Sequence, residues 1–197
     1  VGGRLFRAGV ERLGGRVIGL DGVVAQKESY RRFGFRLAFT SLRRAARGGG
    51  EDPGGCRELG PGDGKAVAAL DRACFPAPRS GFLEAWLSQP GATALGAPGV
   101  GGLAGYGVMR PCRQGFKIGP LFALEPAAGR RLLLALLSRA PAGAEVFWDT
   151  PLNNPHAVAL ARELGLDTVF ETARMYLHGQ PEWHPERVFG VTTFELG

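Results

Sequence analysis

The sequence predicts an α/β protein, and three observations predict it. Apolar residues at helical spacing and apolar residues at strand spacing alternate along the chain. Glycine, asparagine or proline stands at most of the junctions between them. The order helix, strand, helix, strand over residues 1–45 returns at the end of a longer series, which is a weak internal repeat. The composition fits one full domain with its own core and is short for two: 197 residues, 45% hydrophobic and 21% charged.

The elements follow in order. Leu5, Phe6, Gly9, Val10 and Leu13 recur at helical spacing, and Gly14-Gly15 ends that run. Val17 to Leu20 is a short buried strand, Ala25 to Phe33 a helix stopped by Gly34, and Phe35 to Leu42 an alternating strand. Gly48 to Gly55, Gly-Gly-Gly-Glu-Asp-Pro-Gly-Gly, holds no regular element and reads as a linker. Beyond it come helices over Ala66–Phe75 and Phe82–Leu87, then strands over Ala92–Ala97, Leu103–Met109 and Phe116–Leu124. Pro126 opens a helix buried through Leu132, Leu133, Leu134, Leu136 and Leu137. Glu145–Trp148 is a strand, Asn153 or Asn154 caps a helix ending at Gly165, and Thr168–Leu177 and Val188–Leu196 are strands rich in β-branched and aromatic residues. Three segments result: 1–47, a linker 48–55, and 56–197. The first is read as the C-terminal part of a domain that the chain enters part-way, since it carries only the later half of the repeated order.

Charge divides unevenly between them. The net charge is +6, yet residues 1–47 hold eleven Lys or Arg against three Asp or Glu. Such a segment suits an anionic partner, and nucleotide phosphates and nucleic acid both qualify. No apolar run approaches the ~18 residues of a membrane helix. Cys56, Cys74 and Cys112 are scattered and odd in number, which predicts reduced thiols in a cytoplasmic protein. Neither they nor His156, His178 and His184 have metal-ligand spacing, and no metal is expected.

Two motifs carry a resemblance. Val1-Gly2-Gly3-Arg4 opens the first helix, where glycines let a backbone approach closely and free N–H groups can hold phosphate oxygens. Ser29-Tyr30-Arg31-Arg32-Phe33-Gly34-Phe35 ends the second helix with a tyrosine four residues before glycine. In this order they resemble the pyrophosphate-binding and helix-end signatures of the GCN5-related N-acetyltransferase (GNAT) superfamily. The asparagine of the second signature falls on Val23 and is lost. The third segment is complementary: Asn154, Ala157, Leu160 and Gly165 fit, but Ala161 replaces the tyrosine, and Leu124-Glu125-Pro126-Ala127-Ala128 has no glycine cradle. Gly105–Arg110, Phe116–Pro120 and Val188–Glu195 resemble the C-terminal domain of tandem acetyltransferases.

The resemblance implies a mixed, mostly antiparallel sheet flanked by helices, preceded by part of a second such domain. It implies acetyl-CoA as co-substrate, held by Val1, Gly2, Gly3 and Arg4, and a small amine or a lysine side chain as acceptor. It places Tyr30 as the catalytic donor to the leaving thiolate; the plainer reading is a helix-end tyrosine packed at the core edge. No general base is identifiable. His156 reads as a surface histidine, Asp149 as a loop cap or a pocket carboxylate, and Lys117 and Arg113 as solvated charges or anion contacts. Arg31, Arg32, Arg36, Arg43, Arg44 and Arg47 interleave with Tyr30, Phe33, Phe35 and Phe39 as in single-strand binders, but no nucleic-acid motif accompanies them, and that partner is not expected. Two functions remain: an N-acetyltransferase, or a non-catalytic relative that binds a ligand or partner.

Overall fold

The strand signals of both outer segments meet in one sheet. In the computed structural model, which describes residues 2–196, the helices are α1 (Gly2–Leu13), α2 (Lys27–Arg31), α3 (Gly64–Arg72), α4 (Ser80–Leu87), α5 (Pro126–Arg139) and α6 (Pro155–Glu163). The strands are β1 (Ile18–Val23), β2 (Arg36–Arg47), β3 (Arg57–Glu58), β4 (Thr93–Gly99), β5 (Gly102–Pro111), β6 (Phe116–Ala123), β7 (Glu145–Pro151), β8 (Asp167–Leu177) and β9 (Val188–Gly190). Their spatial order is β1-β8-β2-β7-β6-β5-β4-β3, with β9 beside β6. Only β6 and β7 run parallel; the other described pairs are antiparallel. This is a mixed α/β fold on a largely antiparallel sheet.

Three elements depart from the sequence reading. The helix expected over 25–33 starts as a 3-10 turn at Val24–Gln26 and is α-helical only over Lys27–Arg31, because neither start has a side-chain cap. The two-residue β3 is too short to leave a periodic signal. The strand expected over Val188–Leu196 ends at Gly190, because the backbone turns: Thr193 Oγ1 accepts from the N–H groups of Glu195 and Leu196 at 3.0 and 3.2 Å.

The internal repeat has a definite geometry. α1-β1-α2-β2 and α5-β7-α6-β8 are two units of the same order. β8 lies between β1 and β2, while β2 lies between β8 and β7, so each unit's second strand is inserted between the two strands of the other. The boundary expected at residues 48–55 follows β2, an interior strand of the common sheet.

Helices α5 and α6 cover one face of the central strands, where Trp148, Leu132, Leu133, Leu136 and Val146 are fully buried. Each such side chain contributes about 1.5–3 kcal/mol through removal from water. Helices α3 and α4 cover the other face through Val67, Leu70 and Leu83, against Tyr106, Val108 and Phe122. Helix α1 lays Phe6 and Val10 against Ile18, Leu20, Phe35, Ala173 and Met175.

Candidate functional site

Each unit opens with a helix whose N-terminus is a candidate anion site, and the two differ sharply. At α1, Gly2, Gly3 and Arg4 are exposed, and a Cβ placed on Gly2 or Gly3 would have no atom within 4 Å. Val1 lies outside the described residues. At α5, a Cβ on Gly129 would stand 2.7 Å from the ring of Phe189. Phe189 is 1% exposed and belongs to β9.

β9 explains the difference. β6 and β7 pair in parallel only from Phe116↔Val146 to Ile118↔Trp148, then diverge. Into the gap comes the C-terminal segment. It pairs with β6 at Leu121↔Gly190 and Phe122↔Val188, and Val191 donates its N–H to the Asp149 carbonyl at 3.1 Å on the β7 side. Asn154 pins the segment. Its Oδ1 caps α6 by accepting from His156 and Ala157 N–H at 3.0 and 3.2 Å, while its Nδ2 donates to the carbonyls of Glu186 and Val188 at 3.1 and 3.0 Å. Of the two caps open in the sequence, Asn154 is therefore the one used. The gap between β6 and β7 is occupied by the chain itself.

Tyr30 lies in α2 with its ring 5.8 Å from Phe6 of α1 and 6.4 Å from Phe35, against Gly22 of β1. Its hydroxyl has no hydrogen-bond partner among the described residues. The fold thus links Tyr30 to the α1 N-terminal turn through one aromatic contact. Gly22 matters here, since any Cβ would collide with the Tyr30 ring.

The charged residues weighed in the sequence scatter. His156 and Arg113 are exposed. Asp149 and Lys117 are not solvated: Asp149 is fully buried, and its carboxylate accepts from Arg43 Nε and Nη2 at 2.8 and 3.0 Å and pairs with Lys117 Nζ at 2.6 Å. These hydrogen bonds raise the Arg43 pKa above its ordinary value. The unit repeat provides a counterpart, since Asp21 of β1 stands opposite Arg174 of β8 and forms an ion pair with it, as Asp149 of β7 stands opposite Arg43 of β2. Burial pushes the Asp21 carboxyl upward, against the pull of Arg174. The remaining arginines of the basic segment also disperse: Arg31 pairs with Glu28 at 2.5 Å, Arg44 donates to Thr168 Oγ1 at 2.7 Å, and Arg47 to the Gly143 carbonyl at 3.4 Å.

Sequence reasoning missed a cavity of about 360 Å³ on the sheet face opposite α1. Gly19 of β1, Phe39 of β2, and Arg174 and Tyr176 of β8 form its floor. Ile18, Leu20, Ala173 and Met175 alternate with these floor residues and pack toward α1. Phe75, Phe122 and Trp183 close the walls, with Trp183 stacked on Phe39 at 5.4 Å between centroids. Cys74 borders it, its thiol pushed up to about 12 chiefly by burial. The one signal in the sequence was an arginine set between apolar residues of a strand, Ala173-Arg174-Met175.

Comparison with known proteins bears on all of this. A family model described as an acetyltransferase (GNAT) domain matches residues 67–190. The chain is 25% identical over 184 residues to the holothin acyltransferase of Pseudoalteromonas sp. (strain SANK 73390), covering 92% of this chain and 63% of that one. In fold it is similar to a Pyrococcus horikoshii structure assigned as an acetyltransferase, with TM-score 0.83 and 24% identity over 100% of this chain and 66% of that one. A GCN5-related N-acetyltransferase from Kribbella flavida is more distant, with TM-score 0.58 and 18% identity over 89% of this chain and 47% of the other. The chain thus spans less than two thirds of the length of each of these relatives. None of the described helices is long and apolar enough to cross a membrane. With a mixed α/β fold shared with these structures and a family model matched over residues 67–190, more than half of its length, the chain belongs to the GNAT acetyltransferase family.

Proposed function

We propose that the protein is an N-acyltransferase that takes an acetyl group from acetyl-CoA and passes it to a small amine, with the donor held by the first unit, residues 1–47. The observation that carries this reading is the start of α5, which is closed to an anion, while α1 starts with a glycine turn. The open turn of Gly2, Gly3 and Arg4 leaves free backbone N–H groups at the positive end of a twelve-residue helix, next to a cationic side chain. The corresponding start at α5 is pressed by Phe189, begins with a proline that lacks an N–H, and follows Glu125, so the second unit does not suit the same anion. The rest of the chain, residues 56–197, then serves as scaffold and supplies β8 to the first unit.

The thioester supplies an activated carbonyl to which a neutral amine adds, and the acyl group moves from sulfur to nitrogen. The residues of this chain supply the rest. Tyr30, its hydroxyl uncommitted, gives a proton or hydrogen bond to the departing sulfur. Ring contacts with Phe6 and Phe35 hold the phenol in place, so that little orientation is lost at the moment of reaction. The Pseudoalteromonas relative is named for acylating holothin, which favours a small-molecule acceptor over a protein lysine here.

The test is thermal melting with and without saturating acetyl-CoA, in the wild type and in Gly3→Glu. Space around Gly3 admits the new side chain without a clash, so the fold should persist while the added carboxylate repels the pyrophosphate. A cofactor-dependent rise in Tm that disappears in Gly3→Glu is expected, reflecting a stabilisation of about 3 kcal/mol at a hundred times Kd. An unchanged rise in the variant would remove the α1 turn from the binding site.

A further inference from the structure

The geometry points to the cavity between β1, β8 and Trp183 as an acceptor site for a flat aromatic amine that is uncharged at neutral pH and carries a carbonyl oxygen. This inference rests on the acyltransferase reading for the reaction, but its argument and its test concern binding alone.

Four observations support it. At about 360 Å³ the cavity falls in the range of small-molecule sites and is too small for a folded polypeptide segment. Phe39 and Trp183 present stacked rings, with Phe75 and Phe122 beyond them, and aromatic rings prefer offset or edge contacts with another flat ring. Neither Asp nor Glu lines the cavity, so an alkylammonium, such as a polyamine or a lysine side chain, would lose its water without gaining a counter-charge. Arg174 is its one charged lining residue, and that charge is already met by Asp21, so a carboxylate ligand gains little net attraction.

What Arg174 retains is donor capacity. It is 8% exposed, its Nη2 serves Asp21, and its Nε is buried without a hydrogen-bond partner. Its Nη1 lies on the cavity side, 3.5 Å from where a Cβ on Gly19 would stand. A guanidinium with spare N–H groups in an apolar wall selects a neutral carbonyl oxygen, because an unmet buried donor is costly and a hydrogen bond to a charged donor is stronger than usual. The same surroundings suit the chemistry. A weakly basic aromatic amine arrives already neutral, so no base is needed before attack, and none of the described residues lining the cavity is a histidine or carboxylate; the proton that nitrogen sheds on acylation balances the one that the departing sulfur takes up. β1 is an edge strand of the sheet, and its Gly19 and Gly22 put the cavity and Tyr30 on its two faces.

The experiment is calorimetric titration of the full chain, without acetyl-CoA, with 2-aminobenzamide, 2-aminobenzoate and putrescine as probes. The amide should bind at least about tenfold more tightly than either charged probe. Ala77→Trp, which fills the mouth from an exposed lining position, should weaken the amide by about tenfold or more. Trp183→Ala, which removes the stacking ring, should weaken it as well and stands in if the first variant does not fold. Putrescine or 2-aminobenzoate binding as tightly as the amide would overturn the assignment. So would amide binding that ignores both substitutions, or no amide binding to a normally melting wild type. Amide that binds but is not acylated when acetyl-CoA is added would uphold the cavity and count against the transferase reading.

Discussion

Tyr30 and Cys74 show how differently two reactive side chains are placed in one fold. The phenol of Tyr30 sits half-buried with its ring fixed by Phe6 and Phe35 and its hydroxyl uncommitted. Replacing it with phenylalanine keeps the ring packing and removes the proton. Steady-state kinetics of Tyr30→Phe should give kcat lowered by about 10²-fold or more with KM for acetyl-CoA nearly unchanged. A kcat equal to wild type would leave Tyr30 a packing residue. Cys74 is 1% exposed, and burial holds its thiol up to about 12 against an ordinary 9.0. In the native protein it should react with iodoacetamide more slowly than the half-buried Cys56 and Cys112, since the thiolate is the nucleophile. The sign of its pH effect follows. Between about 9 and 12 the unfolded chain releases the proton and the folded chain keeps it, so stability falls as pH rises through that window. Denaturant melts of wild type and Cys74→Ala should therefore converge in relative stability as pH climbs from 9 to 12; parallel curves would contradict the placement.

At the scale of elements, β9 and α6 act as one device. Asn154 both caps α6 and holds the carbonyls of Glu186 and Val188, so its side chain ties a helix start to the segment that fills the β6–β7 gap. Asn154→Ala removes the cap and leaves two carbonyls without their donor, and should cost about 2–4 kcal/mol in chemical unfolding. Phe189→Ala would empty the space against Gly129 and should cost about 3–5 kcal/mol. Because the proposed donor site is at α1, neither change should remove the acetyl-CoA-dependent rise in Tm. Its loss in Phe189→Ala with the fold intact would shift attention to α5.

For the whole molecule, the interleaved strands mean that neither unit closes its sheet alone. β2 is hydrogen-bonded on both edges, to β8 and to β7. Without it those two strands would face each other across a full strand's width, about 9–10 Å, with unpaired backbone groups. It also carries Arg43, the partner of the buried Asp149. Residues 56–197 expressed alone should therefore lack a cooperative thermal transition as a monomer. A sharp two-state melt of that piece would show that β7 and β8 can rearrange without β2. The same interleaving places the cavity where β1, β2 and β8 meet the C-terminal segment, so residues far apart in the chain become its floor and walls.

The sequence by itself determined the local architecture. Helical and alternating apolar spacing located most elements, Gly34 and Gly165 marked two helix ends with positive φ, and the glycine turn and Tyr30 supplied the family resemblance. These are short-range properties, written within a dozen neighbouring residues. Only the tertiary structure decided which strand lies beside which. An alternating pattern reports that a strand has a buried face, not whose edge it meets, so the insertion of β8 between β1 and β2 was not legible. Nor was the buried pairing of Lys117 and Asp149, since a lone lysine reads as a solvated charge or an anion contact and a lone aspartate as a loop cap or a pocket carboxylate until Arg43 joins them from a distant strand. The expectation that Val188–Leu196 forms one strand erred for the same reason. Its β-branched residues suit pairing, but the gap beside β6 takes only three residues, Val188 to Gly190, before Val191 turns to the Asp149 carbonyl. Pairing between distant strands, and the filling of the space they leave, depends on which closed arrangement satisfies every backbone group at once, and no local window contains that condition.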